Sequence, residues 1–334
     1  MKPKLPSLPG GKKFAWACFA VAISLSGVLA TPRQAKHAQA QEPPSDNTDA
    51  KSGAAATPAA QADPQGAADP LAAEKILRQA IATLESRQSV TAKVRQRIEL
   101  FDRKLVGSGR YVQGPARSFR SRLELDLAVG SQQARWLQIC DGNFLWTYSQ
   151  MPDEEGKVKE RLSRVDVSKV IEALSRDQGQ PPSPLGFQAM GIGGLPQLLD
   201  AISRAFRFET VEPSRLGDLD MLILRGRWEP SVLASLVPAA IPAMEKGEAV
   251  DPSKLPEHLP DRVSLYLGKD DLFPYRIVYD RRMKNNVKPM ITLELYEVAV
   301  NTAADSRQFI YNPATSAFHK ATDQYLSRRG LTDK

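Results

Sequence analysis

The alternation of apolar and polar side chains divides this chain into one leading helix and many short strands. The helical pattern comes first: Leu71, Leu77, Ala80, Ile81 and Leu84 recur every three or four residues, on one face of a helix running to about Arg87. Asp69 before Pro70 supplies an N-cap and then the proline that suits the first helical position. The period then changes to two. Val94, Ile98 and Leu100 alternate with Lys93, Arg95, Arg97 and Glu99, as in a strand with one wet face. Similar runs follow at 106–113, 118–127, 134–140 and 144–148, separated by Gly114-Pro115, Gly130-Ser131 and Asp141-Gly142. Asp-Gly between two apolar runs is a hairpin signal, and five consecutive strands with short loops make an antiparallel meander.

The middle is more helical. Residues 167–175 and 195–206 show helical spacing, the second run led in by Gly191-Ile192-Gly193-Gly194. Strands resume at 208–212 and 219–227, followed by a Pro-rich helical excursion over 228–260. Runs at 262–267, 275–281 and 291–300 complete the sheet, with 309–311 as a short edge strand. The pattern predicts a mainly β domain with α insertions over residues 70–320, then a short tail, 321–334. A sheet of about 10–11 strands curls or closes, so a half-open antiparallel barrel with helices covering its concave face is expected.

Charge and composition change the picture at the N-terminus. Lys2, Lys4, Lys12 and Lys13 precede an apolar run from Phe14 to Ala30, and Ala38-Gln39-Ala40 reads as a small-x-small cleavage site. Residues 1–40 therefore read as a cleavable secretory signal, which predicts a periplasmic protein, soluble after cleavage. Residues 41–69 are Ala, Pro, Gln, Asp and Ser with almost no large apolar side chain, the composition of a disordered tether. The formal charge of +7 is also local: residues 1–40 hold six of the 45 basic residues and no acidic one, leaving 39 against 38 in the remainder. With no Lys/Arg-rich run left, a nucleic-acid partner is not expected.

Catalytic chemistry finds little support. After the signal the chain has two histidines, His258 and His319, neither in a metal-ligand spacing, so no metal site and no cofactor are expected. Cys18 lies in the signal, and Cys140, alone in an oxidising compartment, reads as a small half-buried strand residue. Asp270-Asp271 and Glu154-Glu155 read as solvated turn charges. Gly191-x-Gly193-Gly194 lacks the third glycine of a phosphate loop, because Pro196 stands in its place.

Three stretches resemble the LolA-like family of periplasmic outer-membrane lipoprotein carriers. Gln138-Ile139-Cys140-Asp141-Gly142-Asn143-Phe144-Leu145-Trp146-Thr147-Tyr148 is similar to the family's Asp-Gly hairpin with its aromatic strand. Gly107-Ser108-Gly109-Arg110-Tyr111-Val112, followed by Pro115 and Phe119-Arg120, resembles the strands upstream of it. Asn301 and Phe309-Ile310-Tyr311-Asn312-Pro313 resemble the closing signature. The resemblance implies a hydrophobic cavity that shelters a lipid or a lipoprotein's acyl chains between an inner-membrane donor and an outer-membrane acceptor. It departs at Gly114, where the carriers have an arginine that latches a lid, leaving Arg110 or Arg117 as stand-ins, and in the length of the 228–260 excursion.

The inward strand faces supply candidate lipid-binding residues: Val94, Ile98 and Leu100; Phe119, Leu123 and Leu125; Trp146; Ile291, Leu293 and Leu295. Leu195, Leu198, Leu199, Ile202 and Phe206 form a candidate lid, since glycines precede them. Ordinary core packing fits each of these residues equally well. A sensor or scaffold of the same fold, binding a membrane partner to regulate an envelope response, is the competing reading. The oligomeric state is open.

Overall fold

Asp69 caps the first helix as its sequence predicts, its carboxylate accepting from the Ala72 N–H at 3.0 Å. The structure is a computed structural model that describes residues 69–100, 103–129, 132–153, 156–176, 188–237, 241–242, 255–282, 286–314, 316–328 and 331. The signal, nearly all of the tether, Glu154-Glu155 and much of the 228–260 excursion lie outside these residues. Helix α1 (Pro70–Ser86) buries Ala73, Leu77, Ala80 and Leu84. Leu71 does not join them and is 80% exposed. Six residues separate it from Leu77, about 240° of helical rotation, which turns it off the buried stripe.

Strands β1 (Val90–Leu100), β2 (Arg103–Gln113), β3 (Arg120–Val129), β4 (Gln132–Asp141), β5 (Phe144–Pro152) and β6 (Val158–Asp166) form the first antiparallel meander. Helices α2 (Val167–Arg176), α3 (Gln188–Gly191) and α4 (Gly194–Ala205) follow. A second meander contains β7 (Phe206–Leu216), β8 (Leu219–Trp228), β9 (Arg262–Gly268), β10 (Pro274–Arg282) and β11 (Val287–Val300), with α5 (Pro230–Leu236) after β8. The chain then reaches β12 (His319–Lys320) and α6 (Thr322–Arg328). Pairing of β1 with β11, Val94 opposite Leu295 and Ile98 opposite Ile291, joins the two meanders. The order is β12-β6-β5-β4-β3-β2-β1-β11-β10-β9-β8-β7, an open sheet whose edges β12 and β7 do not meet.

The expected open, curved antiparallel sheet is therefore present, with twelve strands among the described residues in place of ten or eleven. The strand that the pattern missed is β6, whose Lys159, Glu160 and Arg161 are exposed and whose apolar burial is confined to Val165. Residues 309–311 are not the edge strand. Ser306–Phe309 is a 3-10 turn, and His319–Lys320 pairs in parallel with Ser163 and Arg164 instead. The expected tail at 321–334 is in part structural, because α6 buries Tyr325 in a cluster with Cys140, Leu145, Val165, Val167 and Val170.

One face of the sheet carries the main core, covered by α1, α3, α4, α5 and the segment around Leu255 and Leu259. The other face of β7 to β10 holds an unusually buried charged group. Arg225 Nε and Nη2 donate to Glu212 at 3.1 to 3.2 Å. Beside them Asp280, 7% exposed, accepts from Ser264 Oγ at 3.3 Å and lies 3.9 Å from Arg262 Nε. Burial raises its pKa to about 6 against the pull of Arg262 and Ser264. A carboxyl raised above its unfolded value binds its proton more tightly in the folded state, so it favours folding as pH falls towards 4 and opposes it above 6. Between about pH 7.5 and pH 5 this group should add about 1 kcal/mol of stability. Urea unfolding of the native chain and of Asp280→Asn at the two pH values should show that increment in the native chain alone; parallel pH dependences would contradict it.

Candidate functional site

The joining of β1 to β11 sets the candidate site, because directly paired residues share a face. Val94 lies between Gly109 and Leu295, and Ile98 between Leu105 and Ile291. Across β10, Ile277 stands opposite Leu293 and Tyr279 opposite Ile291. Leu265 and Leu224 continue the row towards β7. On the other side, Leu123 stands opposite Tyr111 and Leu125 opposite Gly109. These side chains form one buried apolar surface with Leu195, Leu198, Leu199 and Ile202 of α4 and Phe206 of β7. Phe206 stacks on Trp228 at 4.2 Å, and Trp228 Nε1 donates to the Pro260 carbonyl at 2.7 Å, closing that end.

Among the predicted lining residues, Val94, Ile98, Leu100, Leu123, Leu125, Ile291, Leu293 and Leu295 come together on the inner face, and Leu195, Leu198, Leu199, Ile202 and Phe206 lie against them. Phe119 and Trp146 do not. Ala116–Ser118 forms a 3-10 turn and Phe119 takes a left-handed conformation (φ 53°), which removes it from the alternation of β3 and packs it on the Cys140 and Leu145 cluster. Trp146 pairs with Ile139, whereas its neighbour Leu145 pairs with Cys140 and takes the inner side. The indole therefore faces outwards, under the segment after β11. Tyr311 and Phe318 lie 5.4 and 5.1 Å from it, and the Arg164 guanidinium is 4.4 Å from the Phe144 ring and 4.7 Å from that of Phe318. Arg122 Nη1 fixes the same segment through the Gln308 carbonyl at 3.1 Å.

The inner face is not wholly apolar. Under the turn between α3 and α4 stand Tyr111, Gln113, Ser121 and Gln138, on neighbouring positions of β2, β3 and β4. The Tyr111 hydroxyl donates to Gln113 Oε1 at 2.6 Å. The Leu195 N–H, among the free donors at the start of α4, donates to Tyr111 Oη at 3.1 Å and to Gln113 Oε1 at 3.0 Å. Ser121 Oγ donates to the Gly191 carbonyl at 2.8 Å. Burial pushes the Tyr111 pKa up, so the hydroxyl keeps its proton. Gly194 makes this approach possible: its φ is +65°, and a Cβ there would lie 2.2 Å from Gln113 Oε1 and 2.5 Å from the Tyr111 oxygen. Arg110 and Arg117, the stand-ins for a latch, are both exposed, and Arg110 shares a face with Glu124 and Lys93 away from the helices. The sequence pattern missed these four polar residues. The available signal was their parity, since each occupies an inward position of an alternating strand.

Cys140 is fully buried, and burial pushes its thiol up to about 12, which holds it as the unreactive thiol. Burial and the nearby Arg281 lower the pKa of His258, at the other end of the sheet in the turn after Leu255. Among the described residues no group of three or more His, Cys, Asp or Glu side chains is placed to hold a metal ion.

No family model matches the chain, and no curated protein matches it. Among solved structures it is similar to a putative outer membrane lipoprotein-sorting protein domain from Vibrio parahaemolyticus, with 8% identity and a TM-score of 0.31 over 72% of this chain and 97% of that one. It is also similar to lipoprotein LppX from Mycobacterium tuberculosis, with 12% identity and a TM-score of 0.35 over 71% and 100%. The MucA/MucB complex from Pseudomonas aeruginosa gives 9% identity and a TM-score of 0.35 over 72% and 61%. These likenesses are loose, and the fold rests on the strand order given above.

The contacts of the α3–α4 turn set the cost of disturbing it. Tyr111→Phe leaves the Leu195 N–H with Gln113 alone and should cost about 1 kcal/mol. Gly194→Ala should cost more, about 2 kcal/mol or above, since it adds strain at positive φ to the clash with Gln113. Chemical denaturation of both variants measures this; a neutral Gly194→Ala would contradict the seating of the turn.

Proposed function

We propose that this chain is a periplasmic binding and carrier protein that shelters a lipid, or the acyl chain of a lipoprotein, between α4 and the inner face of its sheet. The observation that carries the reading is the way α4 is attached. Its Leu195, Leu198, Leu199 and Ile202 lie in the same buried surface as the inner strand residues. Its leading turn is bounded by Gly193 and Gly194, both at positive φ, and is tied to the sheet by uncharged hydrogen bonds from two places, Leu195 N–H and Gly191 C=O.

Magnitudes make exchange of helix for ligand feasible. Four large apolar side chains, at about 2 kcal/mol each, hold α4 with about 8 kcal/mol of burial. An acyl chain contributes about 0.8 kcal/mol per methylene, so roughly ten methylenes on the same surface restore what the helix loses. A chain of ordinary lipid length thus competes with α4 without altering the rest of the sheet. The resemblance of the Asp141-Gly142 hairpin and its flanking strands to lipoprotein carriers supports the same reading. On it, an inner-membrane protein delivers the cargo and an outer-membrane protein receives it, and binding, not catalysis, is the activity.

Native mass spectrometry of the protein from a periplasmic fraction should show co-purifying acyl lipid, identified after extraction. Weakening the seat of α4 should favour the ligand: Gly194→Ala, or Gly193→Ala as a second variant at the same turn (φ +87°) that keeps every lining side chain, should bind a fluorescent dodecanoyl probe about tenfold more tightly. A clean apo mass together with no uptake of the probe by any of the three proteins would overturn the carrier reading.

A further inference from the structure

We infer that Tyr111, Gln113, Ser121 and Gln138 form a head-group subsite that takes the uncharged amide or hydroxy-ester at the polar end of a bound acyl chain. The inference rests on the carrier reading above and names the chemistry of its ligand. The first observation is the inventory of donors and acceptors. The lid turn presents one peptide N–H, that of Leu195, to Gln113 Oε1 and Tyr111 Oη, and one peptide carbonyl, that of Gly191, to Ser121 Oγ. With the turn seated, the cluster is thus filled by the donor and acceptor of amide groups.

The second observation is what the turn leaves unmet. Among the described residues Gln113 Nε2 and Gln138 Oε1 have no hydrogen-bond partner, although the two residues are 2% and 3% exposed. The assignment of the Gln113 amide is fixed by its contacts, since its oxygen accepts from both Tyr111 and Leu195. One orphaned donor and one orphaned acceptor therefore stand on the inner face beside the seat of the turn. Gln138 Oε1 faces Gly191, where a Cβ would lie 3.4 Å away. Buried polar groups without partners are uncommon in folded proteins and call for a reason. An acyl amide supplies a carbonyl for Gln113 and an N–H for Gln138; a glyceride supplies an ester carbonyl and a hydroxyl for the same two atoms.

The absence of charge in the cluster sets the selectivity. Among the described residues the hydrogen-bond partners of Tyr111, Gln113 and Ser121 are neutral, and the tyrosine stays protonated because burial raises its pKa. A carboxylate brought there would lose its hydration without gaining a cation. The surrounding Leu123, Leu145 and Leu195 are buried and offer no compensation. The subsite therefore discriminates by head group, and the row from Val94 to Leu295 takes the chain.

Isothermal titration of the full chain at mildly alkaline pH with three probes of one acyl length tests this: N-dodecanoylglycinamide, monododecanoylglycerol and dodecanoate. The amide and the glyceride should each bind about tenfold more tightly than the carboxylate. Which of the two binds better tells an acylated amino group from a glyceride as the natural source. Gln138→Met keeps the side chain's volume, removes the orphaned acceptor and leaves the hydrogen bonds to Leu195 and Gly191 untouched. It should fold with undiminished stability, bind dodecanoate as before and hold all three probes within about threefold of one another. Equal affinity of the native chain for the three probes, or a preference that survives in Gln138→Met, would overturn the subsite and leave the carrier reading standing. Failure to bind any of the probes would overturn both.

Discussion

An open sheet with one apolar face must keep that face from water, and the remaining structure answers this requirement. Pairing β1 with β11 makes the first and second meanders one surface, so that Val94, Ile98, Ile291, Leu293 and Leu295 become neighbours although nearly two hundred residues separate their strands. Because the edges β12 and β7 do not pair, the curve is closed from above by helices and not by strands. Helices α1, α3, α4 and α5 cover the main core, with the α3–α4 turn over β2 and β3, and α2 and α6 cover the end near β6. The hydrophobic effect is indifferent to what supplies the cover, and the proposed carrier function has an acyl chain take the place of a helix on this surface.

What distinguishes α4 from the other covers is its mode of attachment. Helix α1 is anchored by its Asp69 cap and by the backbone bond from Asp69 N–H to Glu209. The α3–α4 turn instead relies on glycines in left-handed conformations and on hydroxyl and amide side chains that rise from the sheet. Uncharged hydrogen bonds of this kind fix a position without contributing much net stability, since water replaces them when the segment moves. The polar cluster therefore gives the turn a defined seat at little cost to its release. The outer face is held differently, by Trp146, Tyr311, Phe318 and the interposed Arg164, with the buried Glu212 and Asp280 and the half-buried Arg225 further along the sheet.

Much of this fold was legible in the sequence, because strands with one wet face announce themselves by alternation. That held for β1 to β5 and β7 to β11, and the Asp141-Gly142 hairpin was visible from two residues. It failed where the physical premise failed. Leu145 and Trp146 are both large and apolar, since the segment after β11 covers the outer face of β5, so alternation could not say which one points inwards. In β6 the wet face extends to nearly every residue, and no period survives. Phe119 was misplaced by a 3-10 turn that Pro115 and the following residues build without an obvious signature. The polar residues under α4 were the least legible: Tyr111, Gln113, Ser121 and Gln138 occupy inward positions, and a reading that seeks apolar residues there passes over them.

Sheltering an acyl chain on the inner face requires α3 and α4 to separate from the sheet while the sheet stays folded. Amide hydrogen exchange followed by mass spectrometry measures this directly, because local opening and global unfolding give different free energies for different segments. Peptides spanning residues 188–205 should exchange through openings of clearly lower free energy than those from β1, β3 and β11, and a bound acyl probe should expose the Leu195 amide further. If the 188–205 amides exchange only together with those strands, and a bound probe leaves them unchanged, α4 is a fixed part of the core and the account is wrong.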